Sequence, residues 1–195
     1  MHDELITKIV LAFQNVTFPG DEQLTDSRYG EEPDALVRDF AGKDDWQALD
    51  SKFLDQSPEG WGTALSFFSD RALQFYLPAF LIADLKGELY TADPTGRLCL
   101  SLTPQSETQK IAKVWGGGTV GEHARKTFSR FTDDQVKAVV EYLLWRCSQE
   151  SADLIIEHSL EHYWLPRLEG GLGKTNDPSE RQPIQRGLAF TITLI

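Results

Sequence analysis

Cysteine is scarce: Cys99 and Cys147 are the only two in 195 residues. Each stands inside an apolar pattern, Leu98 to Leu102 and the run that ends at Leu144, Trp145 and Arg146. There a free thiol packs as a small hydrophobe, and a disulfide between the two is disfavoured in a reducing compartment. Long apolar runs are missing as well. None approaches the ~20 residues of a membrane span, and the opening Met-His-Asp-Glu puts acids where a signal peptide carries positive charge. The expected location is therefore the cytoplasm. Positive charge is the third shortage: 19 Lys and Arg stand against 30 Asp and Glu, a formal net charge of −11, with a pI near 4.8. That sign excludes nucleic acid and anionic membrane surfaces as expected partners. No internal repeat, no low-complexity tract and no G-x-S-x-G nucleophile elbow is present.

What the chain does have is enough apolar material for a core. Hydrophobic residues make up 41% and aromatics 11%, with five Trp and eleven Phe, sufficient to offset the entropy of ordering one domain of this length. A single domain over residues 1–195 is the expectation. Its charge is uneven: residues 1–60 hold 14 acids and 5 bases, net −9, against 16 acids and 14 bases, net −2, over residues 61–195. The acidity belongs to the N-terminal third.

Helical periodicity dominates. Leu5, Ile6, Ile9, Val10 and Phe13 predict a helix over about 3–15, closed by the turn signal Phe18-Pro19-Gly20-Asp21. Pro33-Asp34 followed by Ala35, Leu36, Val37 and Phe40, with Gly42 just beyond, predicts a second helix ending near Ala41. A third spans about Asp45 to Leu54. Ser69 is a candidate N-cap, with Phe68 and Leu73 placed to staple around it, for a helix that continues to Leu85 with a kink or restart at Pro78. The sharpest helix start is Phe131-Thr132-Asp133-Asp134-Gln135-Val136, where Thr132 and Gln135 form a capping box. A further helix carries Leu154, Ile155, His158, His162 and Leu165 and is expected to end at Pro166, followed by a polar loop over 169–186.

Strand signals are fewer. Asp93-Pro94-Thr95-Gly96 lies between Leu89-Tyr90-Thr91 and Leu98 to Leu102 and reads as the turn of a hairpin over 88–102. Residues 187–195 alternate Leu188, Phe190, Ile192 and Leu194 with Ala189, Thr191 and Thr193, the period of a strand. The expected fold is mainly α of the α+β class, with a small antiparallel sheet built from the central hairpin and the C-terminal strand.

Motifs that carry chemistry are weak. Gly116, Gly118 and Gly121 satisfy G-x-G-x-x-G, but a dinucleotide site needs them inside a βαβ unit, and the capped helix from Thr132 follows instead. Gly170-Gly171-Leu172-Gly173-Lys174-Thr175 resembles the end of a phosphate loop, yet Leu168 stands where its leading glycine belongs. No cofactor is expected from either. Trp61, Phe67, Phe68, Phe75, Tyr76 and Phe80 read as core rather than as the lining of a pocket. His158-Ser159-Leu160-Glu161-His162 matches the H-x-x-E-H of inverted zinc peptidases. Both imidazoles would reach one ion from one helical turn, with Glu161 beside its water. The third ligand is lacking, because only Glu169 and Glu180 follow, both in the polar loop, so His158 and His162 are expected as neutral core residues and no metal is favoured.

The segment Thr63-Ala64-Leu65-Ser66-Phe67-Phe68-Ser69 to Tyr76-Leu77-Pro78-Ala79-Phe80-Leu81 resembles the bacterial family DUF6714. Ala41-Gly42-Lys43 and Trp46 upstream, Leu100-Ser101-Leu102-Thr103-Pro104 downstream, and Phe131-Thr132 to Tyr142-Leu143 near the end extend the likeness over roughly residues 5–147. The family is uncharacterised, so the resemblance implies a lineage and no mechanism. Cysteines that many members carry are absent from the loop Asp26-Ser27-Arg28-Tyr29, so no metal role carries over to it.

The functional expectation is a non-enzymatic protein-binding or accessory module that presents Glu31, Glu32, Asp34, Asp44 and Asp45 to a basic protein, as an immunity or inhibitor protein does. The alternative is a metal-dependent hydrolase using His158, Glu161 and His162.

Overall fold

A computed structural model of the chain describes residues 2–27, 30–58, 63–149 and 153–172. Helix α1 (His2–Phe13) buries Leu5, Ile9 and Phe13, one residue per turn on one face. Helix α2 (Glu31–Phe40) follows the same logic, with Ala35, Leu36 and Phe40 inward and three acids in its first turn, where they complement the helix dipole. The expected third helix is shorter and later: a 3₁₀ turn covers Trp46–Ala48, and α3 (Ser51–Gln56) starts on Asp50, whose carboxylate accepts from the Phe53 N–H at 2.8 Å.

After α4 (Ala64–Phe67) comes the central helix α5 (Asp70–Leu85). Eleven of its 16 residues are buried, so it can only be an inner element, and α1, α3 and a later helix, α6 (Pro94–Cys99), pack against it. Ser69 caps it as expected, accepting from Ala72 N–H at 3.1 Å while its hydroxyl donates to the Gln23 carbonyl at 2.6 Å. The helix runs through Pro78 without the expected restart.

The hairpin over 88–102 does not form. Asp93 is a helix cap: its carboxylate accepts from Gly96 N–H at 2.7 Å, and Pro94 takes the first helical position, where its missing N–H costs nothing. A 3₁₀ turn (Leu100–Leu102) continues α6, and Thr103 then starts α7 (Pro104–Thr108). Besides Pro94, the buried positions are Thr95, Leu98, Cys99 and Leu102. That is the i, i+3, i+4, i+7 spacing of a helix face, which competes in the same residues with the strand reading. Without the hairpin the expected sheet is lost. Among the described residues the sole β pairing is one isolated bridge, Lys110 to Thr119. The C-terminal segment expected as a strand, 187–195, lies outside the described residues, and the architecture of the described residues is helical.

Helix α8 (Val120–Phe128) opens on a full capping box, Thr119 with Glu122. Helix α9 (Asp133–Gln149) opens on the expected one: Gln135 N–H donates to Thr132 Oγ1 at 3.3 Å and Thr132 N–H to Gln135 Oε1 at 3.1 Å. Helix α10 (Leu154–Ser159), a π-helical turn (Leu160–Trp164) and α11 (Leu165–Leu172) form one continuous run, so Pro166 does not end the helix. The wider turn directly precedes Pro166, whose ring would clash with the carbonyl four residues back in a regular α-helix. Residues 169–172 are thereby helical rather than loop. The core carries two aromatic groups, Phe40, Phe53, Phe68 and Tyr76 at one end and Phe128, Phe131, Tyr163 and Trp164 at the other.

Candidate functional site

Glu31, Glu32 and Asp34 lie at the start of α2, and all three are exposed. Asp44 and Asp45 are exposed too, but they sit beyond the other end of the helix, after Gly42. Ten residues at 1.5 Å rise separate the two groups by about 15 Å. The second group is held in place. Asp21 Oδ1 accepts from Gly42 N–H at 2.9 Å, the Tyr76 hydroxyl donates to the Lys43 carbonyl at 2.8 Å, and Asp45 caps the 3₁₀ turn by accepting from Gln47 N–H at 2.9 Å. Burial pushes the Tyr76 hydroxyl pKa well up, and the nearby carboxylates of Asp21 and Asp44 push it further. Asp21 therefore belongs to this acidic group, which sequence spacing alone did not join to it. None of the five expected carboxylates forms an ion pair among the described residues. Lys43, the base closest to Asp44 in sequence, lies instead over the Phe53 ring, 4.8 Å from its centroid.

Two other carboxylates behave differently. Asp55 is buried and accepts from the backbone N–H groups of Tyr90, Thr91 and Ala92 at 2.8, 2.7 and 3.0 Å, while the Thr91 hydroxyl donates to it as well. Burial alone would raise its pKa, but the donors together outweigh burial and hold the carboxyl below the usual range. Asp84, a lone acid in the apolar stretch of α5, accepts from the Tyr142 hydroxyl at 2.6 Å. That hydroxyl also meets Thr95 Oγ1 at 2.8 Å, and Arg146 Nη1 lies 3.7 Å from Asp84. Burial and the Asp84 charge raise the Tyr142 pKa far above its ordinary value, so the phenol stays protonated and donates. This chain ties α5, α6 and α9 together. Beside it a cavity of about 350 Å³ is lined by Thr95, Cys99 and Arg146, with Asp93 and Asp153 at its edge. The Cys99 thiol is buried, and burial lifts its pKa to about 12, so it is a poor nucleophile.

His158 and His162 are not core residues. His158 is half-buried and His162 exposed, with the side chain of Glu161 80% accessible. The buried stripe of this run is Ile156, Ser159, Leu160, Tyr163 and Trp164, the helical repeat next to the one through Leu154 and Ile155, which are exposed at 73% and 39%. Trp164 fixes that phase: it is fully buried and its indole N–H donates to the Leu98 carbonyl at 3.3 Å. The two imidazoles stack at 4.1 Å between centroids, and His162 Nδ1 faces the His158 carbonyl at 3.1 Å. No three His, Cys, Asp or Glu side chains among the described residues are grouped to hold a metal ion.

The glycine motifs separate. Gly116, Gly117 and Gly118 all have positive φ and make the tip of a loop closed by Ile111 N–H to Gly118 O and Val120 N–H to Gln109 O, with no strand leading into it. Gly121 is helical, and a Cβ there would meet the Glu107 carboxylate at 2.8 Å. The end of the other motif, residues 173–175, lies outside the described residues. Phe68, Phe75, Tyr76 and Phe80 are buried in the core, Phe67 packs against it half-buried, and Trp61 lies outside the described residues.

The described residues define a mainly helical protein built around one buried central helix. The chain belongs to the family of unknown function DUF6714, whose model matches residues 1–168. No curated protein and no solved structure matches it. No helix among the described residues is long and apolar enough to cross a membrane.

Proposed function

We propose that this chain is a cytoplasmic protein-binding or accessory module whose acidic α2 face docks a basic partner. One observation carries the reading: Glu31, Glu32, Asp34, Asp44 and Asp45 are all exposed and unengaged by any described cation. The buried Asp55 takes several donors instead, and the part-buried Asp84 takes the Tyr142 hydroxyl beside Arg146. Exposed charge of one sign at both ends of a short helix steers a partner of the opposite sign and fixes its orientation more than it adds affinity. The rest of α2 is suited to hold such a face rigid, because Pro33, Leu36 and Phe40 anchor it in the core.

The test is a pull-down from the host with chemical cross-linking, run on the native chain and on a Glu31→Lys, Glu32→Lys, Asp34→Lys variant. A basic protein that cross-links to α2 of the native chain, and is lost from the variant and at high salt, is the expected result. A partner held equally well by both would contradict the reading.

A further inference from the structure

Three segments far apart in sequence meet where α1 ends, and two carboxamides hold them together. Gln135 is only 2% exposed. Its Oε1 accepts from Thr132 N–H at 3.1 Å and from Gln74 Nε2 at 2.8 Å, and its own Nε2 donates to the Ala12 carbonyl at 3.3 Å. The second proton of Gln74 Nε2 goes to the Arg130 carbonyl at 3.1 Å. Helices α1, α5 and α9 and the turn at Arg130 are thus tied to one another through these two side chains. Such a floor does not need to reorganise when something binds on it.

Above this floor is a cavity of about 540 Å³, within the roughly 300 to 1,000 Å³ of small-molecule sites. Leu11, Val16 and Phe18 are its apolar lining, and Arg71 and Arg130 line it as well. Leu11 is 58% exposed, on the side of α1 away from its buried Ile9 and Phe13. Arg71 makes one contact, Nη1 to Gln23 Oε1 at 3.1 Å, and the Arg130 guanidinium makes no hydrogen bond or ion pair among the described residues. Both arginines are exposed, and neither is ion-paired with a carboxylate among the described residues. Asp134 is the one acid that lines it, in the first turn of α9 where it faces the positive end of the helix.

We propose that this cavity binds a small organic anion, its carboxylate held by Arg71 and Arg130 and its apolar body lying on Leu11, Val16 and Phe18. Guanidinium groups suit a carboxylate because their planar fork offers paired donors. The site is separate from the acidic α2 face and does not depend on it.

The experiment titrates the full chain with sodium octanoate and, separately, with sodium phosphate at matched ionic strength, followed by calorimetry and by backbone amide shifts. Octanoate is expected to saturate in the millimolar range or below, with shifts centred on Leu11, Val16 and Gln135, and phosphate to bind at least tenfold more weakly. An Arg71→Ala, Arg130→Ala pair should weaken octanoate at least tenfold while melting where the native chain does. An Arg71→Lys, Arg130→Lys pair, which keeps the charge and loses the fork, should weaken it by at least threefold. No saturable octanoate binding, equal binding of phosphate, or octanoate binding unchanged in either pair would overturn the proposal.

Discussion

Two sets of carboxylates in this chain have opposite fates. Inside, Asp55 takes three backbone N–H groups and a hydroxyl, and Asp84 takes the Tyr142 phenol beside Arg146. Along α2 and the turn after it, Glu31, Glu32, Asp34 and Asp44 take no donor at all among the described residues, and Asp45 only the cap of one 3₁₀ turn. The same functional group is structural in one place and surplus in the other. What separates the two is burial, since a buried charge without partners costs several kcal/mol while an exposed one is hydrated at little cost. A net charge of −11 is therefore not a uniform property of the fold. Its stabilising part sits at the interior sites and at helix caps such as Asp50 and Asp93, and the unengaged carboxylates at the two ends of α2 are the part proposed to act on a partner.

If that division holds, removing Asp55 has the largest effect. Asp55→Ala leaves three N–H groups of one loop without their acceptor and is expected to lower stability by about 3 kcal/mol in urea denaturation. Asp55 also sets a pH dependence. Its folded pKa lies below the unfolded value near 3.9, so its contribution is complete above about pH 5 and is lost as pH falls through the folded pKa. Asp55→Asn should flatten the stability profile in that acid range. Next comes Tyr142→Phe, which takes the donor from Asp84 and the acceptor from Thr95. The expected loss is about 2 kcal/mol, read as a lower urea midpoint at unchanged slope. Thr132→Ala removes the side-chain cap of α9 for about 1 kcal/mol. At the small end, Glu31→Gln with Glu32→Gln should stay within about 0.5 kcal/mol of the native chain by thermal melting. A loss as large as that of Asp55→Ala would erase the distinction between the two regions.

Legibility in the sequence followed the range of the interactions. Thr132 with Gln135 and Ser69 with Ala72 are contacts three residues apart, and both caps stand where the local pattern puts them. Asp93-Pro94-Thr95-Gly96 was misread because the same four residues suit a turn and a helix start. The burial of Leu98, Cys99 and Leu102 against α5 and α10, which no local signal reports, decides for the helix. The phase of the run through His158 was likewise fixed from outside, by Trp164 reaching the Leu98 carbonyl. The acids of α2 were legible because an amphipathic helix sorts them outward by its own period, whereas the approach of Asp21 to Asp44 around Tyr76 depends on tertiary packing. Least legible was the cavity with Arg71 and Arg130, whose walls come from three separate stretches of chain. Asp84 did leave a trace, as a lone acid in an apolar helix, a position that asks for a partner.

The central claim is that the α2 carboxylates act on a partner and not on the fold. Its most direct test is the association rate of the captured partner with the native chain and with the Glu31→Lys, Glu32→Lys, Asp34→Lys variant, measured across a series of salt concentrations. The account predicts fast association for the native chain that slows steeply as salt screens the charges, and slower association with a flatter salt dependence for the variant. Association rates that coincide at every salt concentration would contradict it.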